Sequence, residues 1–205
     1  FDGDTIEVGN LTRHTLSMND IGKGKAAQLA QRLNSLNPHA EVTSVPSKVT
    51  YTSQDASQRL LEHDLIIDCT ANDELLHVLA GISFPSNVYF FSISIGFRAK
   101  RMFCFRAKNE TFPVDDYISE MSEWIEAEQV EFKGETFPRE GVGCYNPVFP
   151  ARCDDMWLWG SIAVKAIANG IDSSLSDSVL YVYEQNEEED GSVSIRRVIE
   201  VPVYE

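Results

Sequence analysis

The chain alternates between two hydrophobic rhythms. Thr5-Ile6-Glu7-Val8 alternates apolar and polar positions, which predicts a short strand or strand end. Ala26, Leu29, Ala30, Leu33 and Leu36 then recur at helical spacing, predicting a helix over Lys23 to Leu36 that Asn37-Pro38 stops. Glu41 to Val45 reads as a second strand and Ser53 to Glu62 as a short helix. Leu65-Ile66-Ile67-Asp68-Cys69 is a continuous apolar run closed by polar residues, the pattern of a strand buried on both faces of a parallel sheet. Asp73 to Ile82 is helical, and Val88 to Ile95 and Lys100 to Arg106 are strands. The character changes at Asn109 to Arg139, an acidic stretch with Pro113 and Pro138. It reads as a long, partly mobile excursion holding a helix over Val114 to Glu128. Gly141 to Pro150 is a Gly/Pro-punctuated loop, and Asp154 to Asn169 is a strong helix with Gly170 placed to end it. Val179 to Tyr183 and Val193 to Val203 are strands around an acidic turn, Glu187 to Gly191. Strands alternating with helices indicate an α/β fold, a mixed sheet flanked by helices that finishes in antiparallel strands.

Composition narrows the function more than the fold. The 205 residues carry a net charge of -15, which argues against a nucleic-acid surface, since such a surface needs clustered Lys and Arg. No apolar run is long enough to span a membrane, and no signal-peptide pattern opens the chain, so the expected place is the cytoplasm. The first residue is Phe1, not Met, and the chain reads as a piece of a longer protein. Cys69, Cys104, Cys144 and Cys153 form no CxxC pair, so no structural zinc is expected.

The candidate chemistry gathers at the front. A carboxylate at a strand end is where α/β folds hold a ribose, and Asp2 and Asp4 both qualify. Arg13 and Lys25 offer positive charge to a polyphosphate, and Asn10 could orient either a phosphate or one of these cations. The plainer alternative is a polar surface loop in which Asn10 is a turn residue.

Asp2-x-Asp4-x-Ile6-Glu7-x-x-Asn10-Leu11-x-Arg13, then Asp20-Ile21-Gly22-x-x-Lys25-Ala26, then Leu36-Asn37-Pro38, resembles the adenylation domain of the ThiF/MoeB/ubiquitin-activating superfamily. Asp64 to Asn72 resembles that family's strand ending in Asp-Cys-Thr-Asp-Asn, and Gly141-Val142 through Pro147 with the following helix resembles its late segment. The resemblance implies a Rossmann-like fold lacking its first βα unit. It divides the chain into a nucleotide-binding part (1–108), a crossover excursion (109–140) and a late helix with C-terminal strands (141–205). It also implies a reaction: the C-terminal carboxylate of a small β-grasp carrier protein attacks ATP, forming an acyl-adenylate, and a cysteine then takes the acyl group as a thioester. In that scheme Asp2 binds the ribose, Asn10, Arg13 and Lys25 act on the phosphates, and the protein is a homodimer.

Two departures stand out. The family's magnesium-binding aspartate falls on Ala71, leaving Asp73, or less readily Asp68, to hold Mg2+. The glycine-rich loop lies upstream of the Asp2 motif, so this piece alone is expected to be inactive. For the thioester, Cys144 in its loop is favoured over Cys153, which sits beside Arg152 before a helix, and the remaining alternative is that this chain holds no catalytic cysteine; Cys69 and Cys104 read as inert core. The lack of zinc cysteines tilts the resemblance towards bacterial ubiquitin-conjugation-like members, including those of antiviral operons. Two other readings compete: a catalytically inactive pseudo-subunit or docking domain, favoured by Ala71, and a nicotinamide-dependent dehydrogenase, which leaves Asn10, Arg13 and Lys25 unexplained. Of Trp157 and Trp159 one reads as core and the other as packing on a partner. The four histidines read as surface or capping residues, and Arg98, Lys100 and Arg101 as a basic hairpin turn.

Overall fold

A computed structural model describes residues 1–11, 14–51, 54–134, 152–172 and 177–202. The helices are α1 (Lys25–Leu36), α2 (Gln54–Leu60), α3 (Asp73–Ala80), α4 (Val114–Glu131) and α5 (Cys153–Asp172). The strands are β1 (Leu65–Asp68), β2 (Val88–Ile95), β3 (Arg101–Asn109), β4 (Val179–Glu187) and β5 (Val193–Val198), and they form one sheet in chain order. β1 and β2 are parallel, with α3 between them in the chain, and every later pair is antiparallel. This is the mixed α/β architecture with an antiparallel end that the alternation predicts.

Strand alternation sends one set of side chains to each face. Ile66, Phe90, Phe105 and Ala107 pack with Leu60, Leu76 and Leu79 of α2 and α3, and Phe103 and Val182 pack with Met121 and Trp124 of α4. On the other face Phe91, Met102 and Cys104 pack with Trp159 and Ala166 of α5. The helices on one side and α5 on the other therefore make a three-layer core.

Several expectations change. Thr5 to Val8 is no strand: Thr5 makes a single bridge to Gly24 and the chain then coils into a short 3-10 turn, Val8–Asn10. Glu41 to Val45 forms no strand either, because no described strand lies beside it; Val42 is bound instead at both its N–H and its carbonyl by the Asn34 side chain. β1 is fully covered on one face only: Ile66 and Asp68 are buried, while on the other face Leu65 packs against the α5-side cluster half-buried and Ile67 is 46% exposed. The excursion is, over Val114–Glu131, an 18-residue helix that buries Met121, Trp124, Ala127 and Glu128 against the sheet. Gly170 does not end α5, which runs on to Asp172. A β-carbon at Gly170 would stand 2.8 Å from the Phe91 ring, so glycine is there for close helix–sheet approach.

Candidate functional site

The opening segment is held by backbone hydrogen bonds around the buried Ile6. Asp4 to Ile6 runs antiparallel to Gly22 to Lys25: Ile6 N–H donates to the Lys23 carbonyl at 2.9 Å, Gly22 N–H to Ile6 at 2.8 Å and Lys25 N–H to Asp4 at 2.9 Å. Gly22, at φ +79°, makes the turn that allows this. Asn10 is buried, and its Oδ1 accepts the Glu7 N–H at 3.0 Å, so the asparagine fixes its own 3-10 turn. Asp2 Oδ1 accepts the Asp4 N–H at 2.8 Å, which ties that carboxylate to the backbone two residues on.

Lys25 is the first residue of α1, whose first turn carries no acidic residue. A cation there opposes the helix dipole, so a nearby anion is favoured. Asp4 supplies one, at 3.5 Å from Lys25 Nζ and 3.5 Å from Lys48 Nζ. His14 completes the group: burial, then the Lys25 charge, pulls its pKa down against the opposing pull of Asp2, and its Nδ1 accepts the Leu16 N–H at 3.2 Å. The structure thus brings Asp2, Lys25 and His14 together with Asp4 and Lys48. Arg13 lies outside the described residues, as does Cys144. Lys48 and His14 carry no motif that would have singled them out; the backbone bond from Asp2 N–H to the Val45 carbonyl is what draws the Lys48 loop in.

A second group stands where β1 and β2 end. Asp68 is buried and fully engaged: Oδ1 accepts from the Thr70 N–H at 2.9 Å and hydroxyl at 2.7 Å, and Oδ2 from the Ser92 hydroxyl at 3.0 Å. It therefore serves the loop, and its oxygens are not offered to a metal. Asp73 is exposed in the first turn of α3, where Asn72 caps the helix by accepting the Glu74 N–H at 2.9 Å. Tyr117 of α4 reaches the same place: burial, then Asp73 and Asp68, push its hydroxyl up to about 12. Among the described residues no three His, Cys, Asp or Glu side chains cluster for a metal. Mg2+ is commonly held by one or two carboxylates with water and phosphate oxygens, so Asp73 alone fits it as a single protein ligand. Ala71 sits at φ +50°, a left-handed conformation that Asp or Asn tolerates better than Ala.

Arg98 and Lys100 lie in the turn that joins β2 to β3, Arg98 exposed and Lys100 half-buried, but Arg101 is the first residue of β3. Arg101 is fully buried, with Nη2 2.7 Å from Glu184 and Nη1 2.7 Å from Glu131 and 3.6 Å from Glu128. Lys100 pairs with Glu131, and Arg196 with Glu184 at 3.0 Å. Burial pushes the Glu128 carboxyl up to about 6, against the Phe97 N–H and Arg101 that favour its charge. Burial pushes Glu184 up too, but its bonds to Arg196 and Arg101 prevail and its pKa is lowered.

The cysteines divide differently from expectation. Cys104 is buried, and that burial pushes its thiol up to about 12. Cys69 is exposed, yet desolvation by the surrounding protein, then Asp68, push its thiol up to about 11. Cys153 is exposed at the start of α5. Arg152 does not serve it, being bound to both oxygens of Asp154 at 3.0 and 2.7 Å. Trp159 is buried and donates Nε1–H to the Ala99 carbonyl at 2.7 Å, while Trp157 is 57% exposed and lines, with His14, Met156 and Val164, a groove of about 400 Å³. No helix among the described residues is long and apolar enough to cross a membrane.

Known proteins agree with this layout. The chain is 37% identical over 166 residues to an ATP-dependent ubiquitin transferase-like protein, Cap2, of Enterobacter hormaechei subsp. hoffmannii, covering 81% of this chain and 27% of that protein. It is 31% identical over 88 residues to the molybdopterin-synthase adenylyltransferase of Escherichia coli, covering 42% of this chain and 34% of that one. The chain therefore spans about a third or less of the length of these relatives. In fold it is similar to E. coli MccB solved with ATP, at a TM-score of 0.54 and 12% identity over 98% of this chain and 56% of that one. PaaA is similar at 0.55 and 12%, over 97% and 63%. The model of the ThiF family matches residues 1–171, and with the Asp2-to-Lys25 segment and the parallel pair ending at Asp68 in place, the chain belongs to the ThiF family.

Proposed function

We propose that this chain is the nucleotide-handling part of an enzyme that uses ATP to adenylate the C-terminal carboxylate of a small carrier protein. The observation that carries the proposal is the gathering of Asp2, Asp4, Lys25 and His14 at the start of α1. When bound, ATP with Mg2+ supplies the activated phosphorus and the pyrophosphate leaving group. Asp2 binds the ribose hydroxyls, and Lys25, aided by Asn10 and Arg13, stabilises the negative charge that develops on the phosphates. Lys25 moves from Asp4 to the phosphate at little cost, because a partly exposed pair at 3.5 Å is weak. The incoming carboxylate is ionised at neutral pH and needs no general base. Asp73 holds the metal.

The acyl group then passes to a cysteine. Cys144 remains the preferred acceptor, and Cys153, exposed at the start of α5, is the alternative. The carrier is a β-grasp protein entering by its C-terminal tail, and the working enzyme is a cytoplasmic homodimer. Ala71 favours a second reading, an inactive subunit of the same fold. Left-handed backbone at that residue suits the aspartate implied by resemblance, and alanine has taken its place. ATP–pyrophosphate exchange by the complete protein, with a small carrier ending in glycine, separates the two. Exchange that depends on Arg13 and Lys25 supports adenylation, and no exchange in wild type overturns it.

A further inference from the structure

Ser92 is a polar residue in the buried middle of an apolar strand. It is 4% exposed and stands level with Asp68 across the parallel pair. Val88 and Phe90, on the same face of β2, are buried apolar side chains, and the alternation calls for a third at this position. Ser92 serves Asp68 instead. Its hydroxyl donates to Asp68 Oδ2 at 3.0 Å, while Oδ1 accepts the Thr70 N–H at 2.9 Å and the Thr70 hydroxyl at 2.7 Å. Tyr117 of α4 also reaches Ser92, and its ring stands edge-on to Phe105 at 5.4 Å.

A buried carboxylate is tolerated only where hydrogen bonds satisfy it, and those of Asp68 tie β2 to the loop that follows β1. Residues 69–73 are all exposed, so core packing does not shape this loop. Its backbone is nonetheless unusual. Ala71 is left-handed at φ +50°, and Asn72 returns to φ -122° before capping α3 by accepting the Glu74 N–H at 2.9 Å. A left-handed alanine is strained and persists only where its surroundings impose it. Here the bonds to Asp68 impose it from one side and the Asn72 cap from the other. Asp73, the first residue of α3, therefore leaves the loop with its backbone anchored on both sides. A carboxylate that is the single protein ligand of Mg2+ depends on such anchoring, because no second protein ligand sets its place.

We propose that Ser92 and Thr70 are positioning residues for the metal: by binding Asp68 they hold the Cys69 to Asn72 loop in the shape that fixes the Asp73 carboxylate. This rests on the adenylating reading above, in which Asp73 holds Mg2+. The complete protein, loaded with a non-hydrolysable ATP analogue, is titrated with Mn2+, and the bound metal is read by electron paramagnetic resonance beside a urea midpoint for each variant. Wild type is expected to bind Mn2+, and Asp73→Asn to bind it about tenfold or more weakly. Ser92→Ala and Thr70→Val are each expected to weaken Mn2+ binding about tenfold, as outer partners of metal ligands do, with affinity for the analogue in the absence of metal unchanged. Thr70 is exposed, so Thr70→Val is expected to keep the fold even where Ser92→Ala does not. Thr70→Ser keeps the hydroxyl and is expected to bind Mn2+ as wild type does. Wild-type Mn2+ affinity in Thr70→Val would leave the bonds to Asp68 a purely structural role and overturn the proposal. An equal loss in Thr70→Ser would overturn it too, as would Asp73→Asn that binds Mn2+ as tightly as wild type or a wild type that binds none. The expected pattern of Mn2+ affinities without ATP–pyrophosphate exchange in wild type would overturn the adenylating reading and leave the positioning role standing.

Discussion

Two of the carboxylate–cation groups among the described residues are built to opposite rules. At the start of α1, Asp4 stands 3.5 Å from both Lys25 and Lys48, and its side chain is 39% exposed. Under α4, Arg101 is fully buried and lies 2.7 Å from both Glu131 and Glu184. An exposed pair is worth about 0–1 kcal/mol, so its members can exchange partners with an arriving anion. A buried group cannot: each member is tolerated only because the others are there. The same residue types therefore handle a ligand in one place and lock the sheet to a helix in the other. Burial and separation, not charge pattern, tell them apart.

The comparison breaks most visibly at Arg101. Arg101→Met leaves three buried or half-buried glutamates without their central cation and is expected to cost about 3–5 kcal/mol, read as a fall in the urea midpoint. Lys25→Ala is expected to move that midpoint by less than about 1 kcal/mol while lowering ATP–pyrophosphate exchange roughly 100-fold. If both variants lose stability alike, the division between the two groups is wrong.

Glu128 sharpens it through pH. Its carboxyl is raised from the ordinary 4.5 to about 6 in the folded protein. The folded state binds that proton more tightly, so the contribution is complete below about 4.5 and is lost as pH rises through about 6. The loss is about 2 kcal/mol at 1.36 kcal/mol per pH unit. Glu128→Gln keeps an acceptor for the Phe97 N–H and is expected to flatten the stability curve between pH 4.5 and 6. An unchanged slope would place the titration elsewhere. The smallest effect is at Ala71. Ala71→Asp is expected to raise stability by a few tenths to about 1 kcal/mol, because Asp tolerates φ +50° better, and to lower the Mg2+ concentration needed for half-maximal exchange. A variant with unaltered Mg2+ dependence would remove this loop from the metal site.

Much of the fold is legible in the chain because its elements carry their own signals. β2 matches its aromatic and β-branched run, Val88 to Ile95, end to end, and α1 follows its apolar spacing, starting where Gly24 releases it. What fails depends on neighbours that local sequence does not name. Glu41 to Val45 has strand composition but no described strand beside it, and Ile67 has a core residue's chemistry on the less covered face of β1. Arg101 reads as a turn residue because its partners lie 27 to 83 positions further along, on α4 and β4. The candidate site shows the same limit. Asp2, Asn10 and Lys25 are found by motif, whereas Lys48, His14 and Tyr117 join only through folding. Asn10 proves to support its own turn as well as sitting in the motif.

The most direct measurement is ATP–pyrophosphate exchange by the complete protein with a glycine-terminated carrier, run beside urea denaturation for wild type and Lys25→Ala. The expected result is carrier-dependent exchange in wild type that collapses in Lys25→Ala at an unchanged urea midpoint. Exchange undiminished in Lys25→Ala would contradict the assignment of the opening segment to the nucleotide, and absence of exchange in wild type would contradict the adenylating function itself.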